Sequence, residues 1–472
     1  LEKFFEAGEL TPDELKDGLK KGIATAKIFP IFAGSALETA GIPAFLDFAA
    51  SFFPSPDYKS EKAGFLPFGE NPVSRKISPT ESTSLYVFKT ISEPHVGELS
   101  FFKVYSGKVS TGDDLLNVNI NSSERIGQIF AMKGKERKEV GVTTAGDIGA
   151  LVKLKSTHTG HTLAEKKAPI WYKPAPIPNP VIRMAINAKA KGDEEKIATG
   201  LARLREVDPS FKLEVDPEIK QTIVSGQGEL HLAIITDRLK SNFGVEVELE
   251  KPKIPYRESI KSKAEAQGKY KKQTGGRGQY GDCWLRLEPL PRSAGFEFVD
   301  EVVGGVIPGK FIPSVEKGVT EALENGPLSG NRVVDIRVSV YYGSYHDVDS
   351  SDMAFKIAGS MGFKNAFAKA DAYLLEPIYI IEVMVPEEYM GDVMGDISSR
   401  RGRIMGMERD GNMQKIKAQV PLAELYKYST TLRSLTQGRG YHTMDFSHYE
   451  EVPREIAGKV IEEVKKEKEE EK

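Results

Sequence analysis

The sequence predicts a multidomain protein of α+β and all-β units. Three features carry that expectation: its length, a change of hydrophobic rhythm near residue 83, and one element order that occurs twice. At 472 residues the chain exceeds what a single hydrophobic core organises, so several domains are expected. Short runs of alternating hydrophobicity separated by turns predict a small β-barrel. The repeated order βαββαβ predicts two split-βαβ sandwiches flanking a further α+β unit.

The elements follow in order. Leu1–Lys21 reads as a helix already in progress, and the first residue is Leu rather than Met, which suggests that chain is missing upstream. Pro54-Ser55-Pro56 closes this first segment, residues 1–57. A polar stretch follows, Asp57–Thr80, placed in a linker or ordered connection over 58–82. Leu85–Ile91, Leu99–Tyr105, residues 114–119, and Ile148–Leu154 read as strands of the barrel, 83–172, with Ser106-Gly107 and Thr111-Gly112-Asp113 as turns. Pro169, Pro174, Pro176, Pro178 and Pro180 mark the next boundary.

The first βαββαβ unit covers 178–252. Its first helix, near Asp193–Val207, carries Ile197, Leu201 and Leu204 on one apolar face. Ile254–Leu375 reads as a separate α+β unit, bounded at 253–375. The second βαββαβ unit covers 376–455, with a helix near Glu387–Arg400, a turn at Asp410-Gly411-Asn412 and a helix over about Leu422–Leu435. The tail, 456–472, alternates Lys and Glu and reads as a solvated, frayed helix.

Composition narrows the function classes. Hydrophobic residues are 40% and charged residues 28%, with a net charge of -3. This is ordinary globular composition and excludes a uniformly basic nucleic-acid binder, though not local basic patches. Cys283 is the only cysteine, so an intrachain disulfide and a cysteine-rich zinc site are excluded, which fits a reducing cytoplasm. No apolar run reaches the roughly 18 residues of a membrane span.

Two phosphate-binding patterns fail on chemistry. Gly304-x4-Gly309-Lys310 begins like a P-loop, but Phe311 stands where a hydroxyl must reach Mg²⁺, and Pro308 removes a backbone donor. It reads as a turn before a helix starting near Pro313. Gly276-x-Gly278-x-x-Gly281 matches the dinucleotide fingerprint, yet the next run, Cys283–Leu290, alternates like a strand instead of opening a helix. The histidines form no familiar metal-ligand spacing; His158 and His161 are three apart without carboxylates or cysteines at ligand spacing.

Two segments carry information. Between Lys253 and Arg277 lie Lys253, Arg257, Lys261, Lys263, Lys269, Lys271, Lys272 and Arg277 against Glu258 and Glu265, a local net of +6. Basic residues leading into a Gly-rich loop with Tyr280 suit phosphate contact and base stacking; a solvated strand with lysines lying along it fits the same composition. The second segment, Gly343 to Ser351, follows a strand over Val333–Tyr342 and precedes a helix with Ala354, Ile357, Ala358 and Met361 at helical spacing. Ser350 or Ser351 suits its N-cap. The loop packs Tyr345, His346, Asp347 and Asp349 into a few residues, unusual for a mere connector; a capping turn with chance polar residues fits the same composition.

Taken together these segments resemble elongation factor G. Lys271 to Gly281 is similar to the first tip loop of that family's fourth domain, Gly343 to Ser351 to the second, and Gly304–Pro308 to the segment between them. Gly226-Gln227-Gly228-Glu229-Leu230-His231 is similar to the third-domain motif, with Gln227 where Met is usual. Gly391 to Asp396 and Leu432 to Arg439 resemble fifth-domain motifs, and Val104 to Val109 with Gly112-Asp113 the barrel signature of translational GTPases. Gly34-Ser35-Ala36-Leu37 resembles the last guanine-contact motif of the GTPase domain. The resemblance implies that 1–57 is the end of a GTPase domain and that 253–375 has a ribosomal-protein-like fold.

It also implies function. The family binds the ribosome with GTP and Mg²⁺, acts as a GTPase, and moves tRNA and mRNA through the decoding region. Gly275, Gly276, Arg277, Gly278, Gln279, Tyr280, Ser344, Tyr345, His346 and Asp347 would be its RNA contacts, with Arg433 and Arg439 facing ribosomal RNA. Ser35, Ala36 and Leu37 would offer backbone N–H groups to guanine. With the earlier nucleotide motifs absent from this sequence, no GTP, GDP or Mg²⁺ binding and no catalytic residue is expected of the chain alone. A cytoplasmic monomer without membrane contact is expected. Asn117–Ser123, Lys133–Lys138 and the Gly34–Glu38 context differ from the usual form, so a non-translocating paralogue in recycling or regulation is a second reading. A GTPase-independent ribosomal-RNA-binding module is a third.

Overall fold

The computed structural model describes residues 4–5, 8–93, 97–273 and 278–470. Contacts divide the chain into two compact units: Leu1–Ile177 with Ala202–Pro209, and Pro178–Leu201 with Ser210–Lys472.

In the first unit, a helix spans Pro12–Ala24. Its start is fixed locally. The Thr11 hydroxyl accepts the Glu14 N–H at 3.4 Å, and the Glu14 carboxylate accepts the Thr11 N–H at 3.0 Å. This reciprocal cap, with Pro12 in the first turn, replaces the expected single helix from Leu1 to Lys21. Residues 8–11 are not helical. A second helix, Ile42–Phe52, follows.

The polar stretch after it is no irregular linker. Glu61–Phe65 pairs antiparallel with Pro72–Lys76. Gly64 is closely packed there: a β-carbon would stand 2.8 Å from Ile170 and the Trp171 carbonyl. The expected barrel strands form an eight-stranded sheet that includes Ser84–Glu93, Gly97–Ser106, Asp114–Asn117 and Ile148–Val152. Leu85, Phe102, Leu115, Ile129, Leu151 and Leu163, from strands throughout that sheet, share one buried cluster, so the sheet curls around it.

The second unit holds three sheets. Ile182–Ala188, Glu194–Val207, Lys212–Asp216, Gln221–Gly226, Glu229–Phe243 and Val247–Glu250 run in the order βαββαβ, and the first strand lies between the third and fourth. Ile197, Leu201 and Leu204 are buried as their spacing requires. The same order returns in Ala372–Pro386, Met390–Ser399, Arg403–Asp410, Met413–Pro421, Tyr428–Leu435 and Tyr441–Glu451. The expected helix over Leu422–Leu435 is broken. A 3-10 turn at Leu422–Leu425 ends before Lys427, whose φ of 54° interrupts the helical path.

The segment between the two copies is less separate than its sequence suggested. Arg257–Ile260 pairs with Ala372–Pro386, so it extends the second copy's sheet. The 15-residue strand Ala372–Pro386 crosses the expected boundary at 375. Buried Glu258 pins this junction. Its carboxylate accepts the N–H groups of Leu328, Ser329 and Asn331 and the Ser329 hydroxyl, at 2.7–3.1 Å. Burial pushes this carboxyl up from its ordinary value, and the donors oppose that shift by favouring the anion.

The rest of the segment is a four-stranded sheet of Ala264–Lys272, Gln279–Pro289, Ile336–Ser344 and Phe296–Asp300. Alternation sends Ala264, Ala266, Cys283, Leu285, Leu287, Val338 and Val340 into a core. The helices Ile312–Glu324 and Asp352–Phe367 supply Val315, Val319, Phe355 and Phe363 to the same core. Close packing rests on glycine: a β-carbon on Gly268 would lie 2.0 Å from the Ala358 carbonyl oxygen, and one on Gly318 1.9 Å from that of Lys356. The other face of this sheet meets solvent.

The tail corrects another expectation. Arg454–Glu470 is helical. Val460 is buried with Leu374 and Val452, and Ile456, Ala457 and Ile461 pack against them. The first half of the tail therefore docks on the fold instead of fraying.

Candidate nucleic-acid interface

The strand Ile336–Ser344 delivers the second loop, and Ser351 ends it. The Ser351 hydroxyl accepts the Ala354 N–H at 3.3 Å and starts the helix Asp352–Phe367. Within the loop, Ser350 N–H donates to the His346 carbonyl at 3.0 Å, and His346 N–H donates to the Ser350 hydroxyl at 2.9 Å. These two bonds close a compact turn with its side chains outward.

The hairpin of Ala264–Lys272 with Gln279–Pro289 delivers the first loop to the same place. Gly278 N–H donates to Asp349 Oδ1 at 3.0 Å, and Tyr280 N–H donates to the Asp349 carbonyl at 2.8 Å. Tyr280 and Ser350 form a parallel bridge. The Tyr280 and Ser344 hydroxyls lie 2.7 Å apart, and Ser344 donates to Asp282 at 2.7 Å. Asp282 is buried and also accepts from Gln267 at 2.8 Å. Asp349, Ser350 and Asp282 thus hold the two loops together, and residue types alone do not single them out as site residues. The two carboxylates of the loop were the available signal.

What this arrangement offers is an exposed rim. Tyr345, His346, Asp347 and Val348 are exposed, His346 by 57% of its side chain. The His346 Nδ1 faces the N–H groups of Val348 at 3.4 Å and Asp349 at 3.2 Å. The same Nδ1 lies 3.4 Å from an Asp349 carboxylate oxygen, so Asp349 orients the exposed ring. Gln279 is exposed and accepts from the Tyr270 hydroxyl at 3.1 Å. Ser344 and Tyr280 are half-buried in the network between the loops. Gly275, Gly276 and Arg277 lie outside the described residues.

The basic stretch divides in two. Arg257 is held by Glu218 at 2.8 Å and stacks over Tyr449. Lys261 pairs with Glu451 at 2.6 Å and Lys263 with Glu288 at 3.0 Å. These three are structural, contrary to a uniformly basic approach strand. Lys269, Lys271 and Lys272, nearest the loops, are exposed and make no ion pair among the described residues. The charge available to a polyanion is therefore concentrated at the tip.

Elsewhere the predicted residues differ in availability. Arg433 is exposed, and one of its terminal nitrogens is 3.7 Å from the position of a β-carbon on Gly228. Arg439 is tied to Glu388 at 2.8 Å and to the Tyr389 hydroxyl. Gln227, in the third-domain motif, donates to the Pro178 and Ser210 carbonyls. At the guanine-type motif, Ser35 N–H already donates to the Ala40 carbonyl at 3.1 Å, so it is not available to a base. Ala36 and Leu37 are exposed, Leu37 by 93%. The described residues also hold no cluster of His, Cys, Asp or Glu suited to a metal ion, and no helix among them is long and apolar enough to cross a membrane.

Comparison with known proteins addresses the chain in four consecutive pieces. Residues 82–166 match "Elongation factor G domain 2", 177–251 match "Elongation Factor G, domain III", 252–371 match "Elongation factor G, domain IV" and 373–460 match "Elongation factor G C-terminus". A crystal structure of a protein from Thermus thermophilus is 37% identical, with a TM-score of 0.74, and the match covers 98% of this chain and 67% of that one.

Proposed function

This chain belongs to the elongation factor G family, and from that premise we propose that it engages the ribosome and takes part in moving tRNA and mRNA, with the loops at 271–281 and 343–351 entering the decoding region. The observation that supports this most is the joining of those loops into one exposed rim by Asp349, whose carboxylate and carbonyl both receive first-loop N–H groups. A probe for RNA needs a rigid base, close backbone approach and outward donors. The four-stranded sheet and its two helices supply the base. His346, Tyr345, Gln279 and the three free lysines supply stacking surface, donors and positive charge.

In this reading the paired sandwiches act as rigid bodies that carry nucleotide state to the tip. Lys427 of the second copy meets Glu229 of the first at 2.9 Å, and Arg183 meets the Tyr379 hydroxyl at 3.2 Å, so they touch through polar, breakable contacts. GTP and Mg²⁺ act in the full-length factor; Ala36 and Leu37 are this chain's contribution to guanine. The protein works as a monomer in the cytoplasm.

The test is poly-Phe synthesis with the full-length factor, alongside ribosome co-sedimentation. Translocation reduced at least tenfold by His346→Ala, with ribosome binding and melting temperature retained, supports the reading. Ribosome binding by the wild type without any translocation would refute the translocase assignment.

A further inference from the structure

The open face of the four-stranded sheet carries an aromatic pair that the tip loops do not use. Side chains on this face come from alternate positions: Gln267, Lys269 and Lys271 on one strand, and Tyr280, Asp282 and Trp284 on the next. The register sets Trp284 opposite Tyr342, Gln267 opposite Trp284, Lys269 opposite Asp282 and Lys271 opposite Tyr280. Pairing slips between Trp284 and Leu285, which matches a bulge on the partner strand at Tyr341. The extra residue lets both Tyr341 and Tyr342 reach the open face. Tyr341 is occupied there: its hydroxyl donates to Glu265 at 3.1 Å and Arg286 lies 4.8 Å over its ring.

Trp284 and Tyr342 are different. Neither the indole N–H nor the Tyr342 hydroxyl has a hydrogen-bond partner among the described residues, and Tyr342 is 53% exposed. Charge is graded along the same face. Away from the tip, Arg286 is paired with Glu265 and Glu301, Lys263 with Glu288 and Arg337 with Glu297, so that end is neutralised. Toward the tip, Lys269, Lys271 and Lys272 are unpaired among the described residues, and Lys269 lies 5.9 Å over the Tyr280 ring. Half-exposed aromatic rings beside unpaired lysines on a flat sheet are the ingredients of base stacking with backbone neutralisation.

We propose that this face is a second RNA site, at which an unpaired RNA segment stacks bases on Trp284 and Tyr342 while Lys269 and Lys271 hold its phosphates. It rests on the reading of the tip as an RNA probe, and continues that contact along the sheet. A duplex is disfavoured as the occupant, because its bases are already stacked and leave the two rings unused.

Trp284 is one of two tryptophans, so the site reports itself. In a Trp171→Phe background, an unstructured oligouridylate of about eight nucleotides is titrated into the full chain while indole emission is followed. The expected result is saturable quenching, abolished by the Lys269→Glu/Lys271→Glu double variant. Labelled-RNA anisotropy should show affinity falling roughly tenfold in Trp284→Leu and in Tyr342→Leu. Trp284→Phe should restore most of it, which separates stacking from misfolding. Absent quenching, or equal competition by a blunt RNA duplex, overturns the site. The two readings separate by co-sedimentation of the unsubstituted chain with ribosomes. Binding to ribosomes without quenching removes only the sheet-face site, whereas quenching without ribosome binding removes the tip reading.

Discussion

Replacing Asp349 by alanine should loosen the rim without unfolding the domain beneath it. The carboxylate accepts one N–H, that of Gly278, at 3.0 Å, and its side chain is 26% exposed. A hydrogen bond to a charged group contributes about 1.5–3 kcal/mol, and partial exposure places this one near ~1–2 kcal/mol. The Tyr280 N–H bond to the Asp349 carbonyl, at 2.8 Å, survives the change because it uses backbone. One loop is therefore released at one point. Native-state amide exchange should show Gly278 opening about tenfold faster, since 1.4 kcal/mol is about a factor of ten. Melting should shift by only a few degrees, because the core of Cys283, Leu285, Val338 and Phe355 is untouched. Asp349→Asn, which keeps an acceptor, should recover much of the protection. Gly278→Ala should mimic the loss, since its β-carbon would meet the Asp349 carboxylate at 2.9 Å. Unchanged Gly278 exchange in Asp349→Ala, or a large drop in melting temperature, would show that the loops are joined by something else.

Three further outcomes follow from the same geometry. Glu258→Gln places an NH₂ group among four donors; urea unfolding should show a loss of about 2–4 kcal/mol, and a loss below about 0.5 kcal/mol would contradict the clamp. Gly318→Ala brings a β-carbon 1.9 Å from the Lys356 carbonyl oxygen; overpacking of this kind costs about 3 kcal/mol or more, readable as a melting shift of several degrees. Burial, aided by the nearby Arg433, holds the His442 imidazole down at about 4. Between that value and its ordinary 6.5 the unfolded chain binds a proton that the fold rejects. Stability is therefore full above about pH 6.5 and falls as pH drops toward 4, by on the order of 3 kcal/mol. His442→Phe should flatten that slope in denaturation curves at pH 7 and pH 5; an unchanged slope would place its origin elsewhere.

Much of the architecture was legible because it is written in local signals. Ser351 as a helix cap, the apolar face of Ile197, Leu201 and Leu204, and the doubled βαββαβ order each depend on residues close in sequence. The limits of such signals are equally plain. Arg257 and Lys261 look like RNA ligands until Glu218 and Glu451, 39 and 190 residues away, are brought beside them. The shared sheet of Arg257–Ile260 with Ala372–Pro386 is likewise long-range, and composition cannot reveal it. The helix start at Thr11 was readable from its Thr-Pro-Asp-Glu cap but was obscured by the apolar residues before it. The tip loops stand out by their residue types, Asp349 among them, whereas its part in joining the loops, and that of Asp282, shows only in the hydrogen bonds. The bulge that turns Tyr341 and Tyr342 to one face has no sequence signature, since it follows from a register slip between strands more than fifty positions apart.

The most direct measurement of the tip's role uses the protein's cysteine content. Cys283 is buried and its thiol is pushed up to about 12, so it resists labelling. Val348→Cys then places one reactive thiol on the exposed rim, where an iron chelate can be tethered. Bound to ribosomes, the labelled full-length factor, with any reactive cysteine outside this chain replaced by serine, should cleave ribosomal RNA around the decoding region of the small subunit and leave distant RNA intact. Cleavage elsewhere, from a complex shown to have formed, would contradict the account.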